Sequence, residues 1–241
     1  MDTFLFDLDG TLLPMEQDDF IAGYIKGVTN KLLPYDIEAR ILTNAIWEGT
    51  KAMIKNDGTM YNEERFWNRA IDIIGEKIRD LEHVFIDFYE NEFQDLRHAT
   101  KPNPLAKASI NLLKEKGYRI ILATNPVFPP AATYSRINWA GIEPEDFELI
   151  TTYDNSSYCK PNAEYFMEIL KTRGLSEKQC IMVGNDTSDD MSAKNIGMDV
   201  FLLTDCLINS KGVDVDRFRN GSFNKLYDFI KELPYIVEEQ K

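Results

Sequence analysis

Two aspartates, Asp7 and Asp9, stand one residue apart directly after the apolar run at residues 3–6, and Gly10 and Thr11 follow them. Like charges this close repel one another, and the end of a buried strand solvates them poorly. A bound divalent cation relieves that repulsion, and oxygen ligands with no histidine nearby favour magnesium over zinc. The stretch therefore predicts a magnesium-assisted site.

Further polar residues follow other apolar runs of strand length. Thr124 and Asn125 end "YRIILATN", Lys160 lies in "CKPN", and "GNDTSDD" follows "CIMV". Ligands of parallel sheets bind beyond the carboxyl ends of the strands, so these groups are expected to converge. Magnesium commonly bridges to phosphate, and a lysine, a hydroxyl and nearby amides hold phosphoryl oxygens. The pattern favours phosphoryl transfer, with Thr124, Asn125 and Lys160 as the phosphate-binding candidates.

Two styles of hydrophobic periodicity divide the chain. From about residue 18 to residue 93, apolar residues recur at helical spacing, which predicts four antiparallel helices, with Asp36 as an N-cap. The tryptophans and tyrosines of this block are predicted to lie in the core, and its basic residues on the solvated surface, rather than to contact a substrate.

From about residue 102 onward, short apolar strands, such as the one predicted in "FELITT", alternate with helices, such as the one predicted in "DDMSAKNIG". The helix in "NPLAKASINLLKEKG" has Asn103 as its N-cap, Pro104 at its first position and Gly117 at its end. Such alternation predicts an α/β fold, with a Rossmann-like parallel sheet core that is covered on both faces. We expect residues 1–14 and 99–241 to form this core, and residues 15–98 to form an inserted helical bundle.

Composition limits the classes of partner. The hydrophobic content of 44% suffices for a core, and the net charge of −13 disfavours binding to nucleic acid or to an anionic membrane. No apolar stretch approaches the roughly 20 residues of a membrane span, and the N-terminus lacks a signal-peptide pattern. Cys159, Cys180 and Cys206 are spaced neither as a disulfide framework nor as zinc ligands, and buried, reduced thiols are expected. We therefore expect a cytoplasmic protein.

Four parts of the chain carry a family resemblance: "DLDGT"; the strand that ends in Thr124; Lys160; and the acids of "GNDTSDD". Together they resemble the four motifs of the haloacid dehalogenase superfamily. The helical block also lies where that superfamily carries a cap domain. The resemblance implies that Asp7 is a nucleophile that becomes an aspartyl-phosphate, and that Asp9 protonates the leaving group and then activates water. It further implies phosphate binding by Thr124 and Lys160, and a magnesium ion held by Asp7, the main-chain carbonyl of Asp9 and an acid of the fourth motif.

The fourth motif departs from the superfamily pattern, which usually places an aspartate directly after the glycine. Here Asn185 fills that place and Asp186 comes next. Either Asn185 and Asp189, or Asp186 and Asp190, match the usual pair. An anionic ligand suits magnesium better than an amide does, so Asp186 is the favoured metal ligand. Asp190 or Asp189 is then expected to hold a metal-bound water or Lys160.

The leading hypothesis is a magnesium-dependent phosphatase that hydrolyses a small phosphorylated metabolite through an aspartyl-phosphate. A sugar phosphomutase on the same fold is the alternative, and a phospho-aspartate signalling or binding protein without turnover is a third possibility. Asp9 argues against a dehalogenase, which needs no acid at that position. We expect a monomer or a homodimer.

Overall fold

The computed structural model describes residues 1–236, through which runs a parallel sheet of six strands. The strands are β1 (Thr3–Phe6), β2 (Arg119–Leu122), β3 (Leu149–Ile150), β4 (Cys180–Gly184), β5 (Asp199–Leu203) and β6 (Arg219–Gly221). Their order across the sheet is β3-β2-β1-β4-β5-β6. The central strand β1 is fully buried, as its unbroken apolar run predicts. The predicted Rossmann-like α/β fold is therefore confirmed.

A helical insertion, residues 17–99, separates β1 from β2. Its α-helices are α1 (Gln17–Leu32), α2 (Ala39–Ile54), α3 (Asn62–Ile74) and α4 (Glu82–Glu90), with 3-10 turns at Leu33–Tyr35, Glu76–Leu81 and Glu92–Ala99. The flanking segments lie side by side, because the amide of Glu16 donates to Ala99 O and that of Lys101 donates to Pro14 O. The domain boundaries at residues 14/15 and 98/99 remain a prediction.

The remaining helices cover the two faces of the sheet. They are α5 (Pro104–Glu115), α6 (Pro130–Trp139), α7 (Ala163–Arg173) and α8 (Phe223–Glu232), with 3-10 turns at Pro144–Asp146, Glu177–Gln179, Asp190–Ile196 and Val215–Arg217. Side chains alternate along each strand, so Phe4 and Phe6 join one buried cluster while Leu5 joins the other. The first cluster continues into the helical insertion, which is therefore packed on the core.

Most predicted elements are observed. Asn103 Oδ1 accepts a hydrogen bond from the amide of Leu105, Pro104 begins α5, and Gly117 follows its end with a φ of +83°. Cys159, Cys180 and Cys206 are free thiols. The first two are buried, whereas Cys206 is only half-buried.

Several local predictions are wrong. Asp36 has left-handed backbone and is not an N-cap, since α2 begins only at Ala39. The segment "DDMSAKNIG" forms a 3-10 helix rather than an α-helix, whereas the strand predicted in "FELITT" is present as β3 but is only two residues long. Strand β6 was not predicted, because Arg219–Gly221 lacks an apolar pattern and pairs with β5 alone. None of the helices in the described part of the chain is long and apolar enough to cross a bilayer.

Candidate active site

The predicted site residues converge at the carboxyl ends of the central strands. They line one cavity of about 300 Å³, and they are Asp7, Asp9, Thr124, Asn125, Lys160, Asn185, Asp186, Asp189 and Asp190. They come together because β1, β2 and β4 are adjacent and parallel, so the residues after each strand share one edge of the sheet.

Lys160 lies at the centre of the charged groups. Its Nζ is 2.8 Å from Asp7 Oδ1 and 2.7 Å from Asp190 Oδ1, and its side chain is 1% exposed. Burial alone lowers the pKa of a lysine, but the charges of Asp190 and Asp7 outweigh it and raise the pKa of Lys160. Lys160 is therefore a permanent cation that orients the Asp7 carboxylate.

The residues after the two aspartates explain why "GT" follows them. Gly10 has a φ of +80°, and a Cβ atom there would meet Asn185 Nδ2 at 2.4 Å. The Thr11 hydroxyl lies 3.1 Å from Asp7 Oδ2 and 3.0 Å from Asn185 Oδ1, and its single proton serves both acceptors. Asn185 in turn donates from Nδ2 to Cys206 O. Asn185 thus connects the loop after β1, through Thr11, to the main chain at Cys206.

The loop after β4 gives each acid a different environment. Asp190 Oδ2 accepts hydrogen bonds from the amides of Asn185 and Asp186, both at 2.9 Å, in addition to the Lys160 contact of its other oxygen. Asp186 Oδ1 accepts from the amides of Ser188 and Asp189, which leaves its Oδ2 without a protein partner among residues 1–236. Of the two acids considered for Lys160, Asp190 makes the contact.

Asn125 links the loop after β2 to the other two loops. Its Oδ1 accepts a hydrogen bond from the amide of Lys160 at 3.2 Å, and its Nδ2 donates to Asp189 Oδ2 at 3.4 Å. Thr124 is buried, and its main-chain oxygen accepts hydrogen bonds from Thr151 and Tyr165. These bonds fix the backbone of the β2 loop at the cavity edge.

Arg136, on α6, is a site residue that the sequence analysis missed. Its buried guanidinium forms an ion pair with Asp9 Oδ2 and lies 4.4 Å from the centre of the Phe128 ring. Asp9 Oδ1 is buried and has no hydrogen-bond partner within the described residues. A signal was present in the sequence, because Arg136 follows Ala132 by four residues and so falls on the buried stripe of α6.

The pKa of Asp9 is raised above its usual value. Burial is the largest cause and the charge of Asp7 adds to it, while the positive charge of Arg136 opposes both. A carboxyl group in this setting takes up a proton more readily than one in water.

The donor set fits magnesium in kind. Burial raises the pKa of Asp189, and the charges of Asp186 and Asp7 raise it further, while the charge of Lys160 opposes them. Over residues 1–236, no three acidic, histidine or cysteine side chains come close enough together to hold a metal by themselves. Magnesium keeps several waters and needs only one or two carboxylates, so a site with fewer than three such side chains is compatible with it.

The other half of the cavity is an aromatic wall, formed mainly by the helical insertion. Its members are Phe20, Tyr24, Trp47, Phe66, Trp67, Phe85, Tyr89, Phe128 and Tyr153, all of which line the cavity. As expected, Trp67 is buried in the core, whereas Trp47 is exposed, and both also line the cavity, together with Tyr24. That these residues make no substrate contact remains a sequence-based prediction. Their helical spacing is the same in either role, so the sequence alone did not distinguish them.

Known proteins share this sequence pattern and this fold. Residues 4–203 match the family model "Haloacid dehalogenase-like hydrolase". The chain is 28% identical over 236 residues to glyceraldehyde 3-phosphate phosphatase of Methanothermobacter thermautotrophicus, covering 96% of this chain and 97% of that protein. It is also 28% identical over 204 residues to phosphoglycolate phosphatase of Vibrio cholerae, covering 83% and 82%.

Solved structures share the fold over nearly the whole chain. A HAD phosphatase from Thermococcus onnurineus superposes with a TM-score of 0.60 at 19% identity, over 98% of this chain and 100% of that one. An L-2-haloacid dehalogenase from Xanthobacter autotrophicus gives 0.56 at 13% identity, over 97% and 99%. From the family match and the fold together, the chain belongs to the haloacid dehalogenase-like hydrolases.

Proposed function

We propose that this protein is a magnesium-dependent phosphatase that hydrolyses a small phosphorylated metabolite through an aspartyl-phosphate on Asp7. The observation that carries the proposal is the setting of Asp7 in the cavity. Its two oxygens are held by Lys160 and Thr11, and Thr124 and Asn125 line the same cavity. A carboxylate fixed in this way is pre-oriented for attack on a phosphoryl group.

The reaction proceeds in two displacements. An oxygen of the Asp7 carboxylate forms a bond to phosphorus while the bond to the ester oxygen breaks, and Asp9 gives its proton to the departing alkoxide. Asp9 then takes a proton from a water molecule that attacks phosphorus, and the bond between Asp7 and phosphorus breaks. Thr124, Asn125 and the Lys160 ammonium hold the phosphoryl oxygens throughout.

Asp9 is equipped for both proton transfers. Arg136 holds one of its oxygens in place, and the other is buried without a partner in the described chain, where it is free to exchange a proton. The raised pKa of Asp9 makes the protonated form accessible, and an arriving phosphate dianion favours that form further. Arg136 is thus proposed as a positioning residue for Asp9.

Magnesium would be held by the side chains of Asp7 and Asp186 and by the main-chain carbonyl of Asp9. When bound, it supplies the positive charge that brings an anionic substrate to an acidic site. Asp190 is already engaged by Lys160 and two amides, and Asn185 by Thr11 and Cys206, so both are proposed to support the site rather than to bind the metal.

The helical insertion is proposed to act as a cap that closes over the substrate and excludes water. The relatives described above are named phosphatases, which supports hydrolysis over the phosphomutase alternative. The proposed location is the cytoplasm, where the three free thiols would stay reduced.

Hydrolysis of 4-nitrophenyl phosphate tests the proposal. We expect turnover with magnesium, none after chelation, and a loss of about 10⁴-fold or more in Asp7→Asn. A second test uses the acid stability of the aspartyl-phosphate. Rapid quenching in acid should yield a phosphorylated wild-type chain and an unmodified Asp7→Asn chain. Asp72→Asn, an exposed carboxylate on α3, is the matched control and should keep full activity. Substantial turnover by Asp7→Asn contradicts the proposal.

A further inference from the structure

The charges that line the cavity are distributed unequally. Among its lining residues in the described chain, Lys160 is the one lysine or arginine, and it is committed to Asp7 and Asp190. On the side of the insertion, Glu82 also lines the cavity, and its carboxylate is paired with Arg79, which is outside the lining. A second anionic group on a substrate would therefore meet no free cation there, and burying an unpaired charge costs several kcal/mol.

A further cation beside the cavity, Arg136, is also engaged. Arg136 forms its ion pair with Asp9, and its Nε and Nη2 donate to Ala132 O and Thr133 Oγ1. It lies behind the Phe128 ring rather than among the residues that line the cavity. A substrate carboxylate could take this guanidinium only by displacing Asp9, which the reaction needs.

Polar groups of the wall are few and several are paired with the protein, although Trp67 Nε1 is buried without a partner in the described residues. The Tyr24 and Tyr89 hydroxyls lie 2.9 Å apart and bond to each other, and the Thr50 hydroxyl donates to Ile46 O at 2.9 Å. A polyhydroxylated leaving group would lose its bonds to water and find few partners in exchange. A sugar is thus less well matched to this half of the cavity than an apolar ring is.

The wall offers instead ring edges and faces. Its rings meet edge to face, with centroids 5.3 Å apart for Tyr24 and Phe128 and 5.5 Å apart for Trp67 and Phe85. Such an arrangement accepts a further ring at little cost. The cavity volume of about 300 Å³ is at the small end of ligand sites, so the phosphoryl group and one ring use most of it.

We propose that the substrate is a monoester of an uncharged, apolar alcohol that carries an aromatic ring, with the phosphoryl group as its sole charged group. This inference rests on the proposed phosphatase function and narrows it. It separates the protein from its relatives named for phosphoglycolate and glyceraldehyde 3-phosphate, because the former substrate carries a carboxylate and the latter carries no ring.

Benzyl phosphate and 4-carboxybenzyl phosphate make a matched test. Their leaving oxygens have nearly the same basicity, so a difference in kcat/KM reports how the cavity receives the carboxylate. We expect benzyl phosphate to be favoured by about 100-fold, and phosphoglycolate to be poorer than benzyl phosphate by a similar factor. Calorimetric binding to the inactive Asp7→Asn variant should show the same order.

A substitution in the wall sharpens the test. Ile86 lines the cavity and is half exposed, so Ile86→Arg adds a cation without emptying the core. We expect it to raise the ratio of kcat/KM for 4-carboxybenzyl phosphate to kcat/KM for benzyl phosphate by about tenfold. Ile54→Arg, on a similarly exposed residue away from the cavity, should leave this ratio unchanged.

The outcomes separate this inference from the function on which it rests. If 4-nitrophenyl phosphate is hydrolysed but the two benzyl esters are not distinguished in rate or in binding, or the carboxylate ester is favoured, the inference alone is overturned. Preference for phosphoglycolate over benzyl phosphate overturns it in the same way. Failure to release phosphate from any of these esters removes the phosphatase proposal itself.

Discussion

The cavity has a charged floor, formed by Asp7, Thr11, Lys160, Asp190 and the loops that carry them, and it has the aromatic wall described above. The two regions differ in the contacts that hold them together. On the floor, the Asp7 carboxylate contacts Lys160 and Thr11, and Asp190 accepts hydrogen bonds from one ammonium and two amides. In the wall, rings pack against rings, and the tyrosine hydroxyls bond to each other. The floor comes from loops after the strands, whereas the wall comes mainly from the inserted helices.

This difference suggests a division of labour. Reaction steps depend on charges held at fixed distances, which a rigid sheet edge provides. Discrimination among leaving groups depends on the shape and polarity of a surface that is separate in sequence from that edge. Changes in the floor should therefore abolish turnover, and changes in the wall should alter which ester is turned over.

Lys160→Met should produce the largest effect on the floor. It leaves two buried carboxylates, Asp7 and Asp190, without their shared cation. We expect a loss of about 3–5 kcal/mol in the free energy of unfolding, measured by urea denaturation in metal-free buffer, together with loss of phosphatase activity. Lys101→Met removes an exposed lysine that is paired with Glu16 and should leave the unfolding midpoint close to that of wild type. Equal unfolding midpoints for the two variants would contradict this account of the floor.

Asn62→Ala tests the connection between the two regions. Asn62 begins α3 of the insertion and is fully buried. Its Nδ2 lies 3.1 Å from Pro126 O and 3.4 Å from Cys159 Sγ. Pro126 and Cys159 belong to the loops that carry the floor residues. We expect a loss of about 2 kcal/mol in the free energy of unfolding, because buried polar groups of the loops lose their partner.

The same variant should lower kcat/KM for 4-nitrophenyl phosphate by about tenfold, since the wall is no longer set against the floor. Asn68→Ala, which removes an exposed amide of the same helix whose Nδ2 lies 3.6 Å from Met60 Sδ, should be close to wild type in both measurements. If Asn62→Ala is as stable and as active as Asn68→Ala, the two regions are not coupled through this residue.

Asp146→Asn should have the smallest effect, because it lies in neither region. Burial acts to raise the pKa of Asp146, but hydrogen bonds from Lys107 and Lys114 outweigh it and lower the pKa to about 2. A carboxylate with a depressed folded-state pKa stabilises the fold above its unfolded value of 3.8, and the contribution is lost as the pH falls toward 2.

We therefore expect Asp146→Asn to cost about 1 kcal/mol of unfolding free energy at neutral pH, because both lysines are a third to a half exposed. The difference from wild type should shrink between about pH 4 and pH 2. Thermal unfolding across this range is the measurement, with the exposed Asp228→Asn as control. A difference that grows on acidification would show that the sign is wrong.

The sequence alone determined which strands the site residues follow. Asp7, Thr124 and Asp186 each follow an apolar run, and the rule that ligands gather beyond parallel strands was enough to bring them to one cavity. The sheet, the helical insertion and the cap of α5 by Asn103 followed from local patterns in the same way. Local order suffices where the signal and its consequence lie within a few residues.

Tertiary structure decided what depends on distant segments. It chose Asp190 over Asp189 as the partner of Lys160, since that choice turns on the backbone of a loop and not on spacing. It brought Arg136 to Asp9 across 127 positions of the chain, and it gave Tyr24, Trp47 and Trp67 a cavity to line. An amphipathic helix has the same periodicity whether its apolar face meets protein or substrate, so only the packed chain reveals which one it meets.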